Sequence, residues 1–214
     1  SERDFSFIDV SNDNDLEKLV VNFYLQKLKD QLNLNPLTDI QIISPMRKGL
    51  LGIDNLNQTI QSILFGGHEA IIKQKYGPNY FIGDKIIQTK NNYQKGIMNG
   101  DNGMIAGKDE EGLLLVFDGK TVKYSLEDFD DVQLAYAISI HKSQGSEYPA
   151  VIIPISRRHQ HMLGRNLIYT AITRGRNSVI VAGDRKSLES GIKAEWKDFR
   201  YTLLDNKLKH ILKN

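Results

Sequence analysis

Apolar runs of strand length alternate with amphipathic stretches of helix length at both ends of this chain, and that alternation is its strongest constraint. Phe5, Phe7, Ile8 and Val10 read as a short strand, and the Asn12–Asp15 cluster offers N-cap residues for a helix behind it. Leu16, Leu19, Val20, Phe23, Leu28 and Leu32 keep helical spacing until Asn33 to Pro36 ends the run. Ile40, Ile42 and Ile43 form a buried strand stopped by Pro45; after the loop Met46–Gly52 the spacing predicts a helix over Ile53–Phe65. The order resumes late in the chain, with strands at Leu134–Ile140, Ala150–Ile155 and Ser178–Ala182, a helix over Leu163–Arg174 and another after Asp184. Such alternation predicts an α/β fold, a mostly parallel sheet with helices on its faces.

The middle follows another rule. The stretch from Gly66-Gly67 to Gly77-Pro78 reads as a boundary loop. Beyond it, strands at Phe81–Lys90, Gly103–Gly107, Leu113–Phe117 and Thr121–Ser125 are separated by Asn99-Gly100, Asn102-Gly103 and Asp118-Gly119, dipeptides that favour hairpin turns. The expectation is a small antiparallel β-barrel over 81–132, inserted into an α/β domain made of 1–80 and 133–214.

Composition excludes several classes. No cysteine is present, so thiol chemistry and Cys-based metal sites are out, and no metal-ligand set is recognised. No apolar run approaches the roughly 18 residues of a membrane span, and SERDFSFIDV has no secretory signal, so a cytoplasmic chain without a membrane partner is expected. The net charge of +2 is unevenly spread. Asp109 to Asp131 holds eight acids, Glu111 among them, against Lys120 and Lys123; His141 to Lys186 holds eight lysines and arginines against Glu147 and Asp184. The basic stretch suits a polyanion, although a solvated charged face explains it as well.

Gly119-Lys120-Thr121 is no phosphate loop, because Leu114 stands where that loop needs its first glycine and the alternation continues as a strand. Asn57-Gln58-Thr59 matches a glycosylation acceptor but reads as helix surface. Two other segments carry chemistry. Between the apolar strands of Ala135–Ile153, the residues Ser139, His141, Lys142, Ser143, Gln144, Gly145, Ser146 and Glu147 crowd the C-terminal end of a strand, where open α/β sheets place ligands. In Arg165–Arg176, the stripe Leu167, Ile168, Ala171, Ile172 brings Arg174 to the last helical turn, where a cation also complements the helix dipole.

These segments closely resemble the C-terminal half of RecD-like helicases of superfamily 1B, the exodeoxyribonuclease V alpha subunit family. SIHKSQGSE resembles helicase motif V, and NLIYTAITRGR resembles motif VI with Gly175 where most relatives have alanine. QIISPMRKGLLGIDNLNQTIQ resembles motif IV, and GDKIIQTKNNYQKGIMNGDNGMI the start of the small β-barrel these helicases carry inside their second RecA-like domain. The resemblance implies a motor that hydrolyses ATP between two RecA-like domains and moves 5′ to 3′ along single-stranded DNA. This chain would supply the second domain, and the missing N-terminal motor domain would bind Mg²⁺. Arg174 would reach the γ-phosphate and Arg47 would be a second such arginine, while Gln144, Gly145 and Glu147 would line the nucleotide. Ser139, His141, Lys142, Ser143, Asn91 and Asn92 would contact DNA phosphates. Lys85, Lys90 and Lys95 on the first barrel strand and its turn would face the same strand, with the acidic run repelling it elsewhere. Recombination or repair subunits are further expected partners. A non-catalytic nucleic-acid-binding or assembly module derived from a helicase remains the alternative.

Overall fold

The computed structural model describes residues 4–74, 77–110 and 112–194; Glu111 of the acidic run and the tail 195–214 lie outside them. Strand β1 (Asp4–Asp9) leads to Asn12, whose side chain accepts from the backbone N–H groups of Asn14 and Asp15 and starts α1 (Asp13–Asn22). The helix widens into a π-turn at Phe23–Lys27, where Phe23 and Tyr24 are both buried, continues as α2 (Leu28–Leu32), and ends at Asn33 in the left-handed conformation. Next come β2 (Ile40–Ser44) and α3 (Ile53–Phe65), as the periodicity predicts.

The chain then builds an antiparallel sheet from β3 (Lys85–Gln88), β4 (Asn102–Lys108), β5 (Leu113–Phe117), β6 (Lys120–Tyr124) and β7 (Val132–Leu134), in the order β6-β5-β4-β3-β7. Among the described residues no ladder joins the edges β6 and β7, so the expected barrel is partly open, and Phe129 is buried in the short helical turn between them. The final segment adds β8 (Ala137–Ser139), β9 (Tyr148–Ile155), α4 (Arg165–Ile172), β10 (Gly175–Gly183) and α5 (Arg185–Lys193). With β1 and β2 they complete a five-stranded, wholly parallel sheet of order β1-β10-β9-β2-β8.

Successive strand residues point to opposite faces of this sheet. Ile40, Ile42, Ile152 and Ile180 pack with Leu16, Val20, Leu56 and Ile60 of α1 and α3, in a core that runs on into Ile86, Ile105 and Leu115 of the insert. Ile43, Val151, Ile153 and Val181 pack instead with Leu163, Ile168 and Ala171 around α4.

Several expectations are corrected. The single strand over Leu134–Ile140 is two strands in two sheets: β7 pairs with β3 of the insert and β8 with β2 of the parallel sheet. Gln41 and Asn57 hold this switch. The Gln41 amide donates to the carbonyls of Ala135 and Tyr136, and Asn57 accepts from the Ala137 N–H and donates to its carbonyl. Asn57 is therefore buried, so the helix-surface reading holds for the exposed Gln58 but not for Asn57. Asn102-Gly103 is no turn but opens β4, where a Cβ on Gly103 would strike Val116 and the Phe117 ring on the neighbouring strand. Asp118-Gly119 does form the β5–β6 hairpin, with positive φ at both residues, which disposes of a phosphate loop there.

Candidate nucleotide and nucleic-acid site

Register divides the chemistry-bearing residues between two edges of the parallel sheet. Ser44 and Ser139 end β2 and β8 side by side, so the loops carrying Arg47 and His141–Lys142 leave the same C-terminal edge. Tyr148 begins β9 opposite Gly175, the first residue of β10, which puts Glu147 and Arg174 at the other edge. The segment 140–147 crosses from one edge to the other past β2, as a run of tight turns closed by Ser143 N–H to Ser139 and Ser146 N–H to Ser143. The expectation that this whole loop crowds the C-terminal ends of the strands is thus half right.

At the C-terminal edge, Ser139 Oγ accepts from the Lys142 N–H at 3.2 Å, and Lys142 Nζ donates to Gln133 Oε1 at 2.7 Å. Burial, and behind it the nearby Arg47 charge, pull Lys142 below the ordinary lysine range. Arg47 pairs with Asp54 at 3.3 Å and remains largely exposed. It leaves the sheet at the edge opposite Arg174, close enough to Lys142 for the two charges to be felt. His141 is exposed, whereas Ser143 is 0% exposed and its hydroxyl donates to the Ile140 carbonyl at 2.7 Å. Ser143 is thereby corrected from a DNA contact to a turn-closing residue, because its one donor is spent inside.

At the opposite edge the Arg174 guanidinium donates to the Thr170 carbonyl at 3.2 Å, the Ser146 carbonyl at 3.1 Å and Thr173 Oγ1 at 3.1 Å. The first of these bonds caps α4 as the dipole argument expects; the second ties the helix to the 139–147 segment. Glu147 accepts from Arg176 Nε at 2.9 Å, both side chains being well exposed. Gln144 and Gly145 are exposed, and Gly145 has φ +86, a conformation that itself calls for glycine. Gly175 sits at a register shift, where a Cβ would lie 2.6 Å from Val179 Cγ2, so an alanine here would require its neighbours to shift.

Of the basic stretch, Arg157, Arg158, Arg176 and Arg185 pair with Asp184, Asp13, Glu147 and Asp9. On the insert, Lys90 and Lys95 pair with Asp131 and Asp128, so the supposed basic face and its acidic counterpart neutralise each other. Lys85 is buried; its ammonium donates to the Ile40 carbonyl at 2.8 Å, and desolvation lowers its pKa to about 7 against the opposing field of Asp39. Asn91 and Asn92 build their own turn, Asn91 bonding Tyr93 and the Asn99 N–H, Asn92 the Lys95 N–H and the Ile97 backbone. These interactions correct Lys85 outright and leave the asparagines structural work in this geometry.

Sequence reasoning missed Gln133, the Lys142 partner, and a groove of about 1100 Å³ between α3 and the insert, lined by Arg47, Gln61, the stacked Phe65 and Phe81, His68 and Gln133. No motif marks either, because both arise where separate segments meet. Among the described residues no cluster of three or more His, Cys, Asp or Glu suits a metal ion, and no helix is long and apolar enough to cross a membrane.

A wholly parallel sheet with helices on its faces and an inserted antiparallel sheet is the RecA-like α/β arrangement found in helicases. Residues 134–182 match the UvrD-like helicase C-terminal domain, and residues 56–118 match the ATP-dependent RecD-like DNA helicase SH3 domain. The ATP-dependent RecD2 DNA helicase of Deinococcus radiodurans is 40% identical over 144 residues, covering 67% of this chain and 20% of that protein. The RecBCD enzyme subunit RecD of Mycolicibacterium smegmatis is 28% identical over 162 residues, 76% of this chain and 28% of that one. The fold is shared with the Pif1 helicase from Bacteroides solved in complex with ADP-AlF3 and ssDNA (TM-score 0.54, 20% identity, 94% of this chain and 51% of that one). The chain belongs to the RecD-like helicases of superfamily 1 and corresponds to their C-terminal portion, spanning 20% and 28% of the length of these two curated relatives.

Proposed function

We propose that the protein containing this chain is an ATP-dependent 5′ to 3′ DNA helicase, in which these residues form the second motor domain with its inserted barrel. The observation that carries the reading is the bond from Arg174 to the Ser146 carbonyl. It joins the segment resembling motif VI to the one resembling motif V, so that a single strap reaches from Ser139 and Lys142 at one edge to the arginine at the other. DNA phosphates would replace Gln133 as the partner of Lys142, and Ser139 and His141 would add neighbouring donors. Arg174 would leave the Thr170 carbonyl to meet the γ-phosphate, where its charge stabilises the oxygens of the transferring group. Glu147 is free to exchange Arg176 for a ribose hydroxyl, because an exposed pair of this kind is worth only about 0–1 kcal/mol. ATP with its Mg²⁺ would be held mainly by the first motor domain, and a cytoplasmic location follows from the reading.

The test is unwinding by the complete protein. A duplex with a 5′ single-stranded tail should be opened in the presence of ATP and one with a 3′ tail should not. ATP-independent DNA binding without unwinding of either substrate would favour the assembly-module alternative.

A further inference from the structure

Asn102, at the start of β4, donates its side-chain amide to the Tyr148 hydroxyl at 2.9 Å, a bond between the insert and the parallel sheet. Tyr148 is buried. Its N–H donates to the Arg174 carbonyl at 2.8 Å, and the Arg174 guanidinium returns to the Ser146 carbonyl at 3.1 Å. The same ring lies 5.9 Å below the buried Lys85 ammonium, also from the insert. Two insert residues therefore converge on the side chain of a residue whose own backbone N–H holds the Arg174 carbonyl. The Asn102 amide oxygen, by contrast, is buried with no hydrogen-bond partner among the described residues. An amide kept in that state costs stability. A cost tolerated beside a single productive bond suggests that the bond matters for more than folding.

We propose that Tyr148 is a positioning residue through which the insert sets the Arg174 guanidinium for hydrolysis. This rests on the reading of Arg174 given above. A displacement of the insert by DNA would pull on Asn102, shift Tyr148 through its hydroxyl, and so move the Arg174 backbone that the Tyr148 N–H holds. The insert would then act on ATP hydrolysis without touching nucleotide.

The experiment uses the complete protein with saturating single-stranded DNA. Tyr148→Phe keeps the ring and removes the hydroxyl, stranding the Asn102 amide; Asn102→Leu removes the whole amide and strands the hydroxyl; the double variant leaves neither partner unpaired, so it separates the lost bond from the cost of a stranded group. Each should lower kcat for ATP by roughly three- to tenfold, the scale of one hydrogen bond, with KM unchanged. Affinity for ADP–aluminium fluoride should fall by the same factor while ADP affinity holds. The double variant should lose no more than either single one, the signature of one shared interaction. Multiplying losses, or unchanged kcat and analogue affinity in both variants, would overturn the proposal. If Arg174→Ala abolishes hydrolysis while both variants are neutral, the relay alone fails; if Arg174→Ala hydrolyses ATP normally, the functional reading fails and takes the relay with it.

Discussion

The two edges of the parallel sheet are built differently. At the edge that holds Arg174, functional groups are tied to main-chain carbonyls and to the insert: Arg174 to Thr170 and Ser146, Lys85 to Ile40, Tyr148 to Asn102. At the edge that holds Lys142, cations are tied to side chains near the surface: Lys142 to Gln133, Arg47 to Asp54, Arg157 to Asp184, Arg185 to Asp9. Buried contacts to backbone fix geometry, as transition-state stabilisation requires. Exposed pairs are weak and exchangeable, as a surface that grips and releases successive phosphates requires. Rigidity at one edge and exchange at the other suit a motor that must be exact about ATP and indifferent to sequence.

The largest effect expected from this contrast is at Arg174. Arg174→Ala in the complete protein should reduce ATP hydrolysis by roughly 10³-fold, the scale of losing an arginine finger. Affinity for single-stranded DNA without nucleotide should stay the same, since the DNA edge is left intact. Equal loss of both activities would erase the distinction between the edges.

A second expectation concerns the support under that rigid edge. Lys85 has a folded-state pKa of about 7, whereas an unfolded lysine titrates at about 10.4. Between these values the unfolded chain holds a proton that the folded chain has released, so the contribution of Lys85 to stability rises with pH across that window and is flat below it. Comparing melting temperatures of the parent and Lys85→Gln should show the parent gaining on the variant from pH 7 to pH 10. A constant gap would mean that the ammonium stays charged and solvated, and that the insert is less firmly seated than the geometry indicates.

The smallest effect is at the exchangeable edge. Lys142→Ala should weaken single-strand binding modestly and flatten its salt dependence by about 0.7 in the log–log slope, one phosphate contact on a single strand. Hydrolysis at saturating DNA should be near the parental rate. Unchanged slopes in titrations at several salt concentrations would move the DNA path away from Lys142, toward the groove beside Phe65 and Phe81.

Local patterns read well wherever one element answers to one face. The helix over Ile53–Phe65, the Asn12 cap, the Asp118-Gly119 hairpin and the parallel strands follow from spacing and turn chemistry alone, because those depend on neighbours within a few residues. The motifs around 139–147 and 166–176 and the family they mark were equally legible. Which of their residues face outward was not. Ser143 and Lys85 look available in the sequence and are buried; Asn57 looks like surface and pins the crossing between the sheets. The run Leu134–Ile140 carries one apolar pattern but serves two sheets, a division fixed by Gln41 and Asn57 from far along the chain. Charge bookkeeping could not name the pairings for the same reason. The pairings Lys90–Asp131, Arg158–Asp13 and Arg185–Asp9 join residues far apart in sequence, and only folding decides which opposite charges meet. Sequence periodicity thus determined the elements and the chemistry they carry, while the tertiary structure decided which polar groups were spent inside and which edge each remaining one serves, because desolvation and partner choice are set by contacts between segments that no local pattern records.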